Sequence, residues 1–169
     1  MDNFPHFNIV LVQPEIPPNT GNIGRTCVAT GASLHLVEPL GFEITDRALR
    51  RAGLDYWDEL DFHVHKNLET FLEFAKGSPI ALATKKVGNI FTDHTYAENQ
   101  YMLFGSESLG LPEWLIEERE SDCITIPMQE NSKIRSLNLA NSVSIVLFEA
   151  IKQCSDNFRN IKRKEFHRL

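Results

Sequence analysis

The sequence predicts an α/β fold in which a mostly parallel sheet is flanked by helices, and three observations carry that expectation. Short, nearly all-apolar runs recur along the chain, as strands buried on both faces of a parallel sheet require. Segments with apolar residues at helical spacing lie between them. Proline and glycine punctuate the joins, so strand and helix alternate.

Phe7-Asn8-Ile9-Val10-Leu11-Val12 is the first such run. Pro14, Pro17 and Pro18 read as excluding regular structure after it, with Asn19-Thr20 as capping residues. A helix is expected from Gly21 to Thr30, where Ile23, Cys27 and Val28 share a face and Gly31 stops it. Leu34–Val37 is the second strand, ended by Pro39 and Gly41, and a short helix fits Asp46–Arg51. Phe62–His65 reads as an edge strand and Leu68–Ala75 as a helix. Ile80–Ala83 and Tyr101–Phe104 are two more buried strands. Pro112 opens a short helix at Glu113–Glu118, since proline costs nothing where the first N–H has no partner. Ile124–Ile126 is a last strand closed by Pro127, and Ser136–Lys152 is the longest helix, with Ser136 as a natural cap.

Length and composition fit this reading. The 169 residues suit one compact domain, taken as 1–154, followed by a tail over 155–169. Hydrophobic residues at 42% and charged residues at 24% exclude disordered and low-complexity classes. No apolar run is long enough for a membrane span and the N-terminus lacks a signal-peptide layout, so a soluble, cytoplasmic protein is expected. Cys27, Cys123 and Cys154 form no Cys-x-x-Cys pair, which argues against a zinc ribbon or disulfide framework and for buried thiols. The net charge of −6 hides an asymmetry: the tail carries +3 through Arg159, Lys162, Arg163, Lys164 and Arg168 against Asp156 and Glu165. Such a tail either contacts nucleic acid or is simply a solvated terminus.

Four constellations fall in loops just after strands, where ligands bind in open α/β sheets. Asn19-Thr20-Gly21-Asn22-Ile23-Gly24-Arg25-Thr26 places two glycines three apart at a helix start. It is neither Gly-x-Gly-x-x-Gly nor a P-loop, and the glycines equally fit a place where another helix crosses. Arg25 opposes the helix dipole and is better explained by an anion. Phe104-Gly105-Ser106-Glu107-Ser108-Leu109-Gly110-Leu111-Pro112 nearly matches a nucleophile elbow but lacks its first glycine and a suitable later histidine. Its glycines point instead to close approach of backbone and ligand. Ile126-Pro127-Met128 ends a strand and alone is uninformative. Arg135, Asn138 and Asn141, three apart, fall near one helix face, a poor pattern for core and a good one for a polar ligand. His63 and His65 share a strand face, but without a third ligand at recognisable spacing they read as surface histidines, and no metal is expected.

Taken together and in order, these motifs resemble the SPOUT superfamily of RNA methyltransferases, in particular the minimal branch acting on the tRNA wobble nucleoside. The similarity runs from Asn8 to about Gln153 and includes Pro14-Glu15-Ile16-Pro17-Pro18-Asn19-Thr20-Gly21-Asn22, Glu38-Pro39-Leu40-Gly41-Phe42, Leu49-Arg50-Arg51-Ala52-Gly53-Leu54-Asp55-Tyr56 and the three later motifs. The resemblance implies a deep C-terminal trefoil knot, which composition and periodicity do not indicate. It also implies an obligate homodimer through the first and last helices, with each site completed across the interface.

By the same resemblance, S-adenosylmethionine is the cofactor, held by Leu82, Thr84, Gly105, Glu107, Ile126, Met128, Ser136 and Leu137. The reaction implied is 2′-O-methylation of cytidine or uridine at position 34 of tRNA. Arg25 is the implied catalytic residue, and Asn22, Lys85, Arg135 and Asn141 are the implied RNA contacts. A ribose hydroxyl is a poor nucleophile, so its activation is the protein's main task. A guanidinium is a poor proton acceptor, so Arg25 is read as stabilising the developing alkoxide, orienting the adjoining phosphate, or both. The segment Gln129–Ile134 is slightly longer than expected for the branch, and Phe148 stands where relatives often carry Tyr. The other class left open is a knotted RNA- or cofactor-binding protein without catalysis.

Overall fold

The computed structural model describes residues 4–43, 56–130, 133–155 and 158. Within them seven strands form one sheet: β1 (Asn8–Val12), β2 (Ser33–Val37), β3 (Phe62–His65), β4 (Ile80–Ala83), β5 (Asn89–Ile90), β6 (Tyr101–Phe104) and β7 (Cys123–Thr125). Their order is β3-β2-β1-β6-β4-β7-β5, and every pairing is parallel. The predicted α/β class holds. The two-residue β5, exposed and paired through Asn89↔Ile124, leaves no apolar signature and was not expected.

Burial on both sides explains the unbroken apolar runs. Along β1, Ile9 and Leu11 join the core beneath α1 (Pro17–Thr30) and α4 (Leu139–Cys154), with Ile23, Cys27, Val143 and Leu147. Val10 and Val12 point the other way, into a core closed by α2 (Leu68–Phe74) and α3 (Glu113–Glu118), with Phe71 and Leu115. Alternate residues thus fill opposite cores, as the two-residue strand period dictates.

Helix ends account for most departures from the sequence reading. Helix α1 begins at Pro17, not Gly21: Pro17 and Pro18 occupy its first positions, where the missing N–H costs nothing, and Asn19-Thr20 lie inside the helix. Gly31 ends it in the left-handed conformation at φ 73°, as expected. Helix α4 begins at Leu139, and its cap is Asn138, whose Oδ1 accepts from the N–H groups of Ala140 and Asn141. Ser136 is therefore not the cap, and Arg135 precedes the helix. Strand β7 starts one residue earlier than Ile124. The expected helix at 46–51 lies outside the described residues, as does all of the basic tail except Ser155 and Phe158.

Cys27 and Cys123 are buried and Cys154 is half-buried. Burial pushes the Cys27 thiol up to about 12, which makes it inert. His63 is exposed as expected, but His65 is not a surface residue: its Nε2 lies 3.0 Å from Nδ1 of the buried His35. Among the described residues, no helix is long and apolar enough to cross a membrane, and no group of three His, Cys, Asp or Glu could hold a metal ion.

Candidate active site

A cavity of about 370 Å³ opens at the carboxyl ends of β4, β6 and β7, beside the turn that leads from β1 into α1. That is the size of a small-molecule pocket and the edge of an open sheet where ligands bind. Chain reversals supply its walls: Ala83-Thr84-Lys85 after β4, the loop Gly105–Leu111 after β6, Thr125–Met128 around the end of β7, and Ser136–Leu139 before α4.

Backbone packing shapes the second of these walls. Gly110 N–H donates to the Ser106 carbonyl at 2.9 Å, and Gly110 takes φ 75°. Gly105 lies so close to the returning loop backbone that an added Cβ would sit 1.9 Å from the Gly110 carbonyl carbon and 2.1 Å from Leu111 N. Only glycine lets the loop close on itself here. The mouth of the cavity keeps large apolar side chains in water: Ile16 is 45%, Met128 38% and Leu137 38% exposed. Apolar surface gathered at a concave site marks a ligand face.

Carboxylates and amides tie the walls together. Glu107 accepts from the N–H groups of Glu15 at 2.8 Å and Ile16 at 3.2 Å, and from Asn19 Nδ2 at 2.9 Å. Glu15 answers by accepting from Ser108 N–H at 3.1 Å and Ser108 Oγ at 2.5 Å. Asn19 Oδ1 in turn accepts from Asn138 Nδ2 at 2.9 Å. A single network thus locks the start of α1, the Gly105–Leu111 loop and the cap of α4. Lys85 Nζ reaches the Arg135 carbonyl at 3.3 Å and draws the loop after β4 towards the segment before α4.

Seven of the eight residues expected to hold a cofactor line this cavity: Thr84, Gly105, Glu107, Ile126, Met128, Ser136 and Leu137. Leu82 does not. It is fully buried in the core beneath α2 and α3, and Ala83 lines the cavity in its place. Of the expected RNA contacts only Lys85 lines it; Asn22, Arg135 and Asn141 are exposed outside it. Arg25 is also exposed outside, on α1, with its guanidinium carbon 5.5 Å from the centre of the Tyr56 ring. Sequence reasoning missed Glu15 and Ser108 and took Asn19 for a cap. Nothing local marks them, because their partners lie about ninety residues away.

A profile of the SpoU rRNA Methylase family matches residues 6–148. The chain belongs to that family. The resemblance read from the sequence is thereby borne out, and with it the α/β fold of the SpoU enzymes. A tRNA (cytidine(34)-2′-O)-methyltransferase of Burkholderia cenocepacia is 45% identical over 151 residues, which cover 87% of this chain and 95% of the relative. A solved structure concerned with 2-OH methylation of C/U34 on tRNA is 39% identical, with a TM-score of 0.81, covering 88% of this SpoU-family chain and 96% of its own. An AdoMet-bound rRNA methyltransferase from Sinorhizobium meliloti shares the fold at 23% identity and a TM-score of 0.75, over 90% of this chain and 58% of that one.

Proposed function

We propose that this SpoU-family protein transfers the methyl group of S-adenosylmethionine to the ribose 2′-hydroxyl of the wobble nucleoside, cytidine or uridine 34, in the anticodon loop of tRNA. The observation that carries the reading is the cavity formed by loops closing at the carboxyl edge of β4, β6 and β7, with Gly105 pressed against the backbone of Gly110. Relatives at 39–45% identity, named for methylation at tRNA position 34, support the substrate.

The residues present suit the cofactor. Ile126, Met128 and Leu137 offer an apolar bed for a flat base, and the bare backbone of the Gly105 loop offers donors and acceptors at close range. Glu107 lines the cavity, and its carboxylate is held by the N–H groups of Glu15 and Ile16 and by Asn19, so it fixes the shape of that wall. When bound, S-adenosylmethionine supplies an electrophilic sulfonium methyl. The protein's part is to present the ribose oxygen to it and to stabilise negative charge there. Arg25 fits that part through N–H donors directed at the developing alkoxide or the neighbouring phosphate, with Asn22 one turn away and Lys85, Arg135 and Asn141 on the RNA.

Arg25 stands outside the cavity of its own chain, which supports a homodimer in which it serves the partner's pocket. The exposed Ile145 and Phe148 on α4, beside α1, supply an apolar face for that association. In this reading the described fold and its C-terminal knot make up a domain over 1–154, the tail meets RNA, and the enzyme works in the cytoplasm without a metal.

Purified protein incubated with labelled S-adenosylmethionine and total tRNA, followed by mapping of the methylated nucleoside, tests the proposal. Label at the 2′-oxygen of nucleotide 34 is the expected result. Tight cofactor binding without transfer to any tRNA would leave a non-catalytic binding protein in its place.

A further inference from the structure

The segment that crosses α1 bears directly on Arg25. Tyr56 and the 3₁₀ turn Trp57–Glu59 run over the helix where Gly24 presents no side chain. A Cβ on Gly24 would already stand 3.3 Å from Leu60, 3.5 Å from Trp57 and 3.8 Å from the Tyr56 ring. The glycine is thus a place of close crossing, and the crossing lays the Tyr56 ring along the helix surface. Its hydroxyl donates to the Gly21 carbonyl at 2.5 Å, one turn before Arg25, and its face lies 5.5 Å below the Arg25 guanidinium carbon.

Among the described residues, Arg25 has no carboxylate partner. An ion pair would hold the side chain but occupy the N–H donors that a ribose or phosphate needs. An aromatic face holds the cation through its quadrupole and leaves those donors available. It also restricts a long side chain that would otherwise sample many rotamers in water.

We propose that Tyr56 is the positioning residue of Arg25: its ring fixes the guanidinium for the substrate, while its hydroxyl, anchored on Gly21, fixes the ring. This rests on the role given to Arg25 under Proposed function. Tyr56 itself touches no reacting atom.

The test uses the full-length protein and two readouts. Position 56 is filled with Phe, then with mono-, di- and trifluorinated Phe, which keep the ring's shape while draining its negative face, and finally with Leu. The first readout is the Arg25 side-chain NMR signal, assigned by its loss in Arg25→Lys. Ring current is expected to move it upfield in the wild type and in Tyr56→Phe, and to vanish in Tyr56→Leu. The second is methyl transfer to tRNA. Tyr56→Phe, which keeps the ring but loses its bond to Gly21, should lose about twofold in kcat, the fluorinated series should fall stepwise by a further roughly two- to fivefold, and Tyr56→Leu should fall at least as far. KM for S-adenosylmethionine should stay within about twofold throughout, since the ring acts on Arg25 and not on the cofactor cavity.

An Arg25 signal indifferent to the ring overturns the proposal whatever the activity. A ring-shifted signal with a kcat flat across the fluorinated series also overturns it and leaves Tyr56 a packing residue. A wild-type protein that methylates no tRNA overturns the functional reading itself and this proposal with it. That outcome is recognised because the ring-shifted signal is still present.

Discussion

The side-chain amide of Asn138 donates to Oδ1 of Asn19 at 2.9 Å and joins residues 119 positions apart. Each member has a second duty. Asn138 Oδ1 caps α4 by accepting from Ala140 and Asn141, and Asn19 Nδ2 donates to Glu107 in the loop after β6. The bond therefore couples the geometry of two helix starts to the wall of the cavity.

Asn138→Ala removes the cap and the tie together. Loss of a cap costs about 1 kcal/mol, and a buried-side acceptor left on Asn19 adds a similar amount. We expect a fall in Tm of roughly 4–8 °C for a chain of this size, together with weaker S-adenosylmethionine binding by calorimetry. Asn138→Ser restores a cap oxygen but is too short to reach Asn19. It should recover about half of the stability and little of the affinity. Equal recovery of both would show that the tie to Asn19 does nothing.

Gly105 and Gly31 separate a steric requirement from a conformational one. Gly105→Ala drives a methyl into the backbone of Gly110 and Leu111, which has no rotamer with which to yield. Overpacking of this kind costs about 1–3 kcal/mol, and the loop must open to relieve it. Cofactor affinity should drop at least about tenfold. Gly31 has only its φ of 73° to lose, with nothing within 4 Å of an added Cβ. Gly31→Ala should therefore cost about 1 kcal/mol in urea unfolding and leave cofactor binding as it was.

The pattern of what could be read from the sequence follows from range and burial. Runs such as Ile9-Val10-Leu11-Val12 announce a doubly buried strand, and Gly31 announces a helix end, because both signals are local. The start of α1 was misread because Pro17 and Pro18 are compatible with a loop and with a first helical turn, and the sequence cannot choose between them. Leu82 and Ala83 show a second limit. A strand buried on both faces has no polar alternation, so nothing in its composition says which residue faces the cavity. Glu15, Asn19, Glu107 and Ser108 show a third, since small polar residues near helix starts look like caps until the fold brings their distant partners together.

His35 gives the fold a defined acid sensitivity. It is 2% exposed, stacked on His63 with ring centroids 4.6 Å apart, and bonded to His65 and Asn8. Burial first, then the neighbouring His63 and His65, hold its pKa down to about 3 against the opposing pull of Asp61, with His6 adding the least. The unfolded chain takes up a proton near 6.5 and the folded chain does not until about 3. The resulting stability is complete above pH 6.5 and is lost as pH falls through that window. From pH 7 to pH 5 the loss should reach about 2 kcal/mol in urea unfolding. His65, also held down by burial, adds in the same sense. Asp61, lowered chiefly by the bond from Ser33, acts only at more acid pH. His35→Gln should flatten the slope between pH 7 and 5 without abolishing it, and an unaltered slope would place the titrating group elsewhere.

The charge of the C-terminal tail bears on how an acidic protein engages RNA. The first 154 residues carry a net charge of −9, and the following fifteen carry +3 through five basic residues. Phosphate contacts release counterions, each contributing about 0.7 to the slope of log Kd against log salt for single-stranded regions. If three or four of Arg159, Lys162, Arg163, Lys164 and Arg168 meet the anticodon arm, removal of residues 156–169 should lower that slope by roughly 2 to 3 and weaken tRNA binding most at low salt. S-adenosylmethionine binding should be untouched, because the described lining of the cavity runs from Ile16 to Val146 and is complete without the tail. Filter binding of tRNA from 50 to 300 mM salt would decide it. An unchanged slope would mean that the RNA is held by the globular surface alone, which puts the whole electrostatic task on Arg25, Lys85, Arg135 and their neighbours.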